Sequence, residues 1–510
     1  MGTVKKNVLA NIAGNIWIAV TGIVTVPIYI YFIGIEAYGL IGVFATLMGA
    51  SAVLDLGLSS TLNREMARLS VQENKAQEMH NLLRTLEIPY LIIGLCIAVA
   101  VILAAPFIAF HWVQAKSLTP NNVLNAVKLM GLCAAFQWPI NFYSGGLMGL
   151  QRQVLFNVIN MTAATLRGVG AVIILWLVSP TVELFFIWQV VAYAIHLGFI
   201  VFFLRKSLPA ATERPRFCPE ILQGIKKFAG GLIVISITTT LFQLDKIILS
   251  RLLNLEMFGF YMLATTVAIN IRRLASPVFT ACFPKFAALV EQNNEKEIIH
   301  FYHKSSQLTS LIVLPISIMI AFFSEEIMLL WTQNSVTAKD SQLLVSLLVL
   351  RTACNCILNI PYALQLAYGW TQLTVIINSF YVLAMVPLLI LFTTWYGAVG
   401  AASISLIMNI GYVIIDIPLM HRRLIPAEKW RWYLEDIGYP LMAVATIGLI
   451  GRSVVHLEWS TPQLILGIGL TSGAALFAAA LSVNRLEVGA KAKSTIILLQ
   501  RQKKVLFHGR

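Results

Sequence analysis

The chain has 510 residues, 58% of them hydrophobic and only 12% charged, where soluble domains carry roughly 25% charged residues. That composition excludes an ordinary water-soluble core and suits a bilayer, whose apolar slab of about 30 Å takes helices of roughly 20 residues. A formal net charge of +14 raises nucleic acid as a partner until the charges are placed along the chain.

Long apolar runs between charged or Pro/Gly breaks predict about fourteen spans and no strands. In chain order they lie near 8–33, 40–62, 85–110, 123–148, 155–179, 182–204 and 224–250, then 257–283, 306–331, 340–368, 371–393, 397–420, 437–456 and 462–482. The first run is too long for the apolar core of a signal peptide and is expected to stay as a helix. The expected fold is an all-α polytopic membrane protein with short connections.

Topology accounts for most of the positive charge. With the N-terminus inside, twenty-seven Lys and Arg fall at cytoplasmic ends, among them Lys5, Lys6, Arg64, Arg205, Lys206, Arg422 and Arg423, against four outside (Lys116, Arg251, Lys339 and Arg452). This positive-inside bias predicts two cytoplasmic termini and no nucleic-acid partner. The basic tail 485–510 is expected to lie on anionic membrane lipid. The six cysteines contain no C-x-x-C pair and read as soft packing residues.

A shift of 220 residues brings Lys6 onto Lys226, Glu36 onto Glu256, Tyr38 onto Phe258, Gly39 onto Gly259 and Gly149 onto Gly369. A charge, an aromatic and two glycines at one offset indicate an internal duplication. Six helices separate equivalents, so the repeats run parallel. Two six-helix lobes, 1–215 and 216–430, are expected about a pseudo-two-fold axis along the membrane normal, a layout that suits alternating access. Two further helices (431–484) and the basic tail (485–510) fall outside the repeat.

Three groups of residues resemble the polysaccharide-exporting branch of the multidrug/oligosaccharidyl-lipid/polysaccharide superfamily, most of all its O-antigen flippases. The first is Asn11, Gly14, Asn15, Trp17, Pro27, Gly34, Tyr38, Gly39, Asp55, Gly57 and Arg64. The second is Gln243-Leu244-Asp245-Lys246 with Ser250, Gly259, Tyr261 and Phe283-Pro284. The third is Tyr396-Gly397-Ala398-Val399-Gly400-Ala401-Ala402. The resemblance implies a two-lobed transporter that moves an undecaprenyl-pyrophosphate-linked oligosaccharide across the bacterial inner membrane, with a polysaccharide polymerase and a chain-length regulator as partners. It assigns no role to any single charge.

A charge at the centre of a span costs about 2.5–3.5 kcal/mol on insertion scales and needs a partner or a wet cavity. Lys128, Arg167, Lys246, Arg272, Arg273 and Arg351 fall within spans, against the acids Asp55, Glu87, Asp245 and Asp416, of which Glu87 and Asp416 are placed near enough to span ends to reach an interface. Helical spacing groups Arg351 with Asn355 and Asn359, Arg167 with Asn157 and Asn160, Lys246 with Thr239, Gln243 and Ser250, and Arg273 with Thr266, Asn270 and Thr280, where Pro277 is expected to leave a kink. Guanidinium forks bind phosphate oxygens in pairs, so Arg167, Lys246, Arg273 and Arg351 are the leading cavity residues, followed by Arg272, Lys128 and Arg64. The alternative for each is a structural ion pair or, for Arg64, simple obedience to positive-inside. Asp55 and Asp245 stand as ion-pair members or as sites of proton or sodium coupling.

The sequence has no G-x-x-x-x-G-K-[ST] run for ATP and no long aqueous loop for acid–base chemistry. His300 and His303 are three apart without a convincing third metal ligand, and the outer pair Glu325 and Glu326 reads as solvation of a helix end. No cofactor, metal or enzymatic activity is expected. The competing readings are a multidrug or metabolite exporter of the same superfamily and, after it, a membrane glycosyltransferase or ligase.

Overall fold

A computed structural model describes residues 2–211, 213–221 and 244–483. Among them all regular structure is helical, apart from an isolated parallel bridge between Gln114 and Asn254. The helices are α1 (Gly2–Ser51), α2 (Leu58–Ser70), α3 (Ala76–Phe107), α4 (Pro120–Gly149), α5 (Gln153–Leu177), α6 (Val182–Ser207), α7 (Leu244–Leu252), α8 (Leu255–Glu291), α9 (Glu295–Phe322), α10 (Ser324–Thr332), α11 (Ser335–Ile357), α12 (Asn359–Ala367), α13 (Gln372–Leu424), α14 (Lys429–Val454) and α15 (Thr461–Val483).

Eleven helical stretches are long and apolar enough to cross a bilayer. Two are broken once. Gly34 in α1 (φ 80°) and Gly397 in α13 (φ 60°) hold positive-φ backbone that a Cβ would disfavour, so α1 and α13 each divide into two helical segments. Eleven stretches with two such breaks give thirteen segments. The expected span 224–250 falls mostly outside the described residues, and the total of fourteen stays an expectation.

Two of the expected spans are interrupted. Span 40–62 stops at Ser51; a 3-10 turn (Ala52–Asp55) and Gly57 at φ 73° separate it from α2. Span 340–368 is interrupted at Leu358 between α11 and α12; Pro361 lacks the N–H that would bond back to Ile357, so the helix restarts. Pro277, by contrast, lies inside an uninterrupted α8.

The described residues fall into two compact units, one up to Gly259 and one from Phe260. In the first, α2 is amphipathic: Leu58, Thr61, Leu62, Glu65, Met66 and Leu69 are buried on one stripe while Arg64 and Arg68 are exposed. Its backbone comes close to α4 because Gly145 and Gly149 face the carbonyls of Ser59 and Asn63, where any Cβ would collide. Small residues of this kind let helices approach in lipid, where packing replaces the hydrophobic drive. The second unit is centred on Phe286, Tyr302 and Trp432, with a separate cluster joining Phe323 and Met319 to Val444, Ala475 and Ala479.

Candidate functional site

In the first unit the polar side chains of α5 meet α1 and α6. Asn11 donates to Gln153 at 2.9 Å and accepts from Asn157 at 2.6 Å, and Trp17 donates to Thr165 at 2.9 Å. Further along, Tyr29 donates to the Gly168 carbonyl at 2.9 Å. Arg167 is half-buried at this level: its Nη1 is 3.0 Å from His196 Nδ1, and its guanidinium lies over the Tyr193 ring, 5.0 Å from the centroid. Among the described residues no carboxylate lies within ion-pair distance of it. Its neighbours are therefore an aromatic face, which attracts a cation, and a neutral-capable imidazole.

The other candidates of this unit are dispersed. Asp55 accepts hydrogen bonds from two hydroxyls, Tyr90 at 2.8 Å and Ser59. Arg64 is exposed on α2 and reaches Glu65 at 2.5 Å, while Arg68 reaches the same carboxylate at 2.8 Å. Lys128 is exposed on α4. Asp245 is buried at the start of α7, where its carboxylate accepts the backbone N–H of Lys246 at 2.9 Å; Lys246 itself is half-buried. Thr239 and Gln243, grouped with it in the sequence, lie outside the described residues.

In the second unit Arg272 and Arg273 are both exposed on α8. Arg273 Nη1 donates to Asn270 at 3.1 Å, one turn back on the same helix. Arg272 lies within electrostatic range of Cys356 on α11. Arg351 is half-buried and Asn355 exposed on α11, whereas Asn359 opens α12 on the far side of the break at Leu358. The continuous polar face expected over 351–359 is thus interrupted.

The burial of several acids differs from the sequence reading. Glu87 does not reach an interface: it is 3% exposed and accepts from Tyr143 at 2.5 Å, Arg205 at 3.0 Å and Arg84 at 3.3 Å. Asp416 is also buried and takes both Oδ contacts from Gln365 Nε2, at 3.0 and 3.2 Å. Glu326, expected at a solvated helix end, is fully buried and paired with Arg452. His303 is wedged between Asp436 (Nδ1 to Oδ2, 2.6 Å) and Glu428 (Nε2 to Oε2, 2.9 Å), and Asp436 accepts also from Gln307 at 2.9 Å. Each of these acids takes at least one partner from another helix.

One contact carries the 220-residue offset directly. Gly39 sits against the Leu255 carbonyl and Gly259 against the Ile35 carbonyl, with each glycine also close to the other's amide nitrogen. Residues 35 and 255, and 39 and 259, stand at the 220-residue offset at which a duplication is expected. Beside this contact, Glu36 accepts the backbone N–H of Ser117 at 2.7 Å and that of Lys116, while its counterpart Glu256 lies 3.4 Å from the Lys116 ammonium.

The model of the polysaccharide biosynthesis protein family matches residues 4–290, more than half of the chain. The chain belongs to this family. It is 20% identical over 382 residues to a Shigella flexneri protein named as an O-antigen transporter, covering 74% of this chain and 88% of that one. Its fold is shared with the lipid II flippase MurJ in an inward closed conformation (TM-score 0.69, 14% identity, 94% of this chain and 99% of that one). It is shared also with an inward-facing multidrug resistance transporter of the MATE family (TM-score 0.58, 17% identity, 82% and 96%).

Proposed function

We propose that this family member is a flippase for a polyprenyl-pyrophosphate-linked oligosaccharide of the O-antigen type, working in the bacterial inner membrane by alternating access of the lobes 1–215 and 216–430. The observation that carries this reading is Arg167. A half-buried guanidinium, set in an apolar helix and met by an aromatic ring and an imidazole, retains its full charge for an anion. In a span such a cation is costly to maintain without a function, and its fork suits pyrophosphate oxygens. Arg273, whose hydrogen bond goes to the neutral Asn270, supports the same cargo, and Lys246 and Arg351 join them as candidate phosphate contacts. The name of the Shigella relative as an O-antigen transporter points to the same chemical class.

On this reading the protein performs no bond chemistry. It lowers the barrier for a charged headgroup by exchanging water for fixed cations, and both chain termini lie on the cytoplasmic side. Asp55 and Asp245 are the carboxylates to test for proton or sodium coupling, and a polymerase and a chain-length regulator would receive the product. Arg167→Ala and Arg351→Ala, alone and combined, should each reduce polysaccharide export at least tenfold at unchanged protein level. Undiminished export by the double variant would remove the cationic-site assignment.

A further inference from the structure

Along α6, residues Ala194, Leu197, Gly198, Val201 and Phe202 form one wall of an open apolar groove of about 650 Å³, with Phe136 of α4 as the other. Steps of three and four keep these positions on one helix face, so the groove runs lengthwise. From 194 to 205 it extends roughly 16 Å at 1.5 Å per residue. Gly198 opens its floor: a Cβ built there would meet nothing within 4 Å. The hollow is thus shaped by a missing side chain.

One end of the groove is cationic. Arg205 and Lys206 close it. Arg205 is held in place by the buried Glu87 at 3.0 Å, and the same carboxylate holds Arg84 at 3.3 Å. Arg205 and Arg84 share the single carboxylate of Glu87, and Lys206 adds a further cation next to Arg205, so the three basic side chains exceed this acid by two charges. Lys206 bends back over the Phe202 ring, its ammonium 5.9 Å from the centroid, which keeps that charge at the mouth of the apolar wall.

We propose that this groove binds an anionic phospholipid, one acyl chain lying along α6 between Phe136 and Gly198 and the phosphate resting on Arg205 and Lys206. Both parts of such a lipid are matched in order along the helix: an open apolar groove, then a guanidinium held by Glu87, then an ammonium. A zwitterionic lipid would bring its own cation against the two surplus charges. Attraction of about 1 kcal/mol per basic residue near an anionic surface is the expected scale.

The test uses the full chain purified in detergent, incubated with phosphatidylglycerol or phosphatidylcholine of identical acyl chains and read by native mass spectrometry. Phosphatidylglycerol should be retained on the order of tenfold more than phosphatidylcholine. Lys206→Ala should lower that retention about fivefold through charge. Gly198→Phe should lower it comparably by filling the floor, and circular dichroism of both variants should match the parent. Equal retention of the two lipids, or a loss in only one or neither variant, overturns the proposal. Displacement of bound phosphatidylglycerol by an equimolar polyprenyl pyrophosphate also overturns it, because the groove would then belong to the transported substrate.

Discussion

Glu87 in the first unit and Asp436 in the second are both buried acids within apolar helices, yet they are neutralised in opposite ways. Glu87 is served redundantly by two arginines, whose side chains are 50% and 58% exposed, and by the Tyr143 hydroxyl. Asp436 depends on one buried histidine, which also faces Glu428, and on the amide of Gln307. With carboxylate oxygens against both nitrogens of His303, the ring and the two acids must share two protons between them. The first arrangement tolerates loss of a partner and leaves surplus positive charge at the surface; the second keeps one net negative charge, which Arg431 meets at Glu428 at 3.5 Å, and holds Asp436 through a single histidine.

The strongest way to break this comparison is His303→Ala. It strands Asp436 with only Gln307 and should destabilise the protein by about 3–5 kcal/mol, read as a lower thermal unfolding midpoint in detergent; a change below about 1 kcal/mol would refute the dependence on one histidine. The Glu326–Arg452 pair sharpens the point by its asymmetry. Arg452→Leu leaves a fully buried carboxylate and should cost about 3 kcal/mol, whereas Glu326→Leu frees an arginine whose side chain is already 43% exposed and should cost less than about 1 kcal/mol. The reverse order of unfolding midpoints would contradict this. The smallest effect is expected at Glu87. Either Arg84→Ala or Arg205→Ala alone should cost less than about 1 kcal/mol, and only the double variant should cost clearly more than the sum of the two.

The fold was largely legible because apolar runs of membrane length need no partner to be recognised. The turn at Gly34 falls between expected spans, and that at Gly397 on the first residue of the expected span 397–420. Less legible was α2, whose amphipathic stripe was absorbed into the preceding apolar run, and the interruption at Leu358, which splits Asn359 from Arg351 and Asn355. The burial of the acids was not legible for a different reason. Glu87 and Arg205 are 118 residues apart, Glu326 and Arg452 are 126 apart, and His303 and Asp436 are 133 apart. Helical spacing relates residues three or four positions apart and is silent about such pairs. The spacing of His300 and His303 drew attention to metal chemistry, whereas the structure gives His303 two carboxylates from the start of α14 and the segment before it. Arg167 stands out in the sequence because a lone arginine at a span centre is conspicuous without any partner.

Helix α14 has a further consequence for measurement. Asp436 fastens it to α9 through His303 and Gln307, and Arg452 fastens it to α10 through Glu326. Sixteen residues separate the two fastenings, about 24 Å of helix. A rod held near both ends cannot tilt against its mount, so a spectroscopic label on its outward face, at the exposed Leu449 or Ile450, would travel as a rigid pointer for α9. That gives an external handle on the motion of the second unit without altering any of its candidate cargo-binding residues.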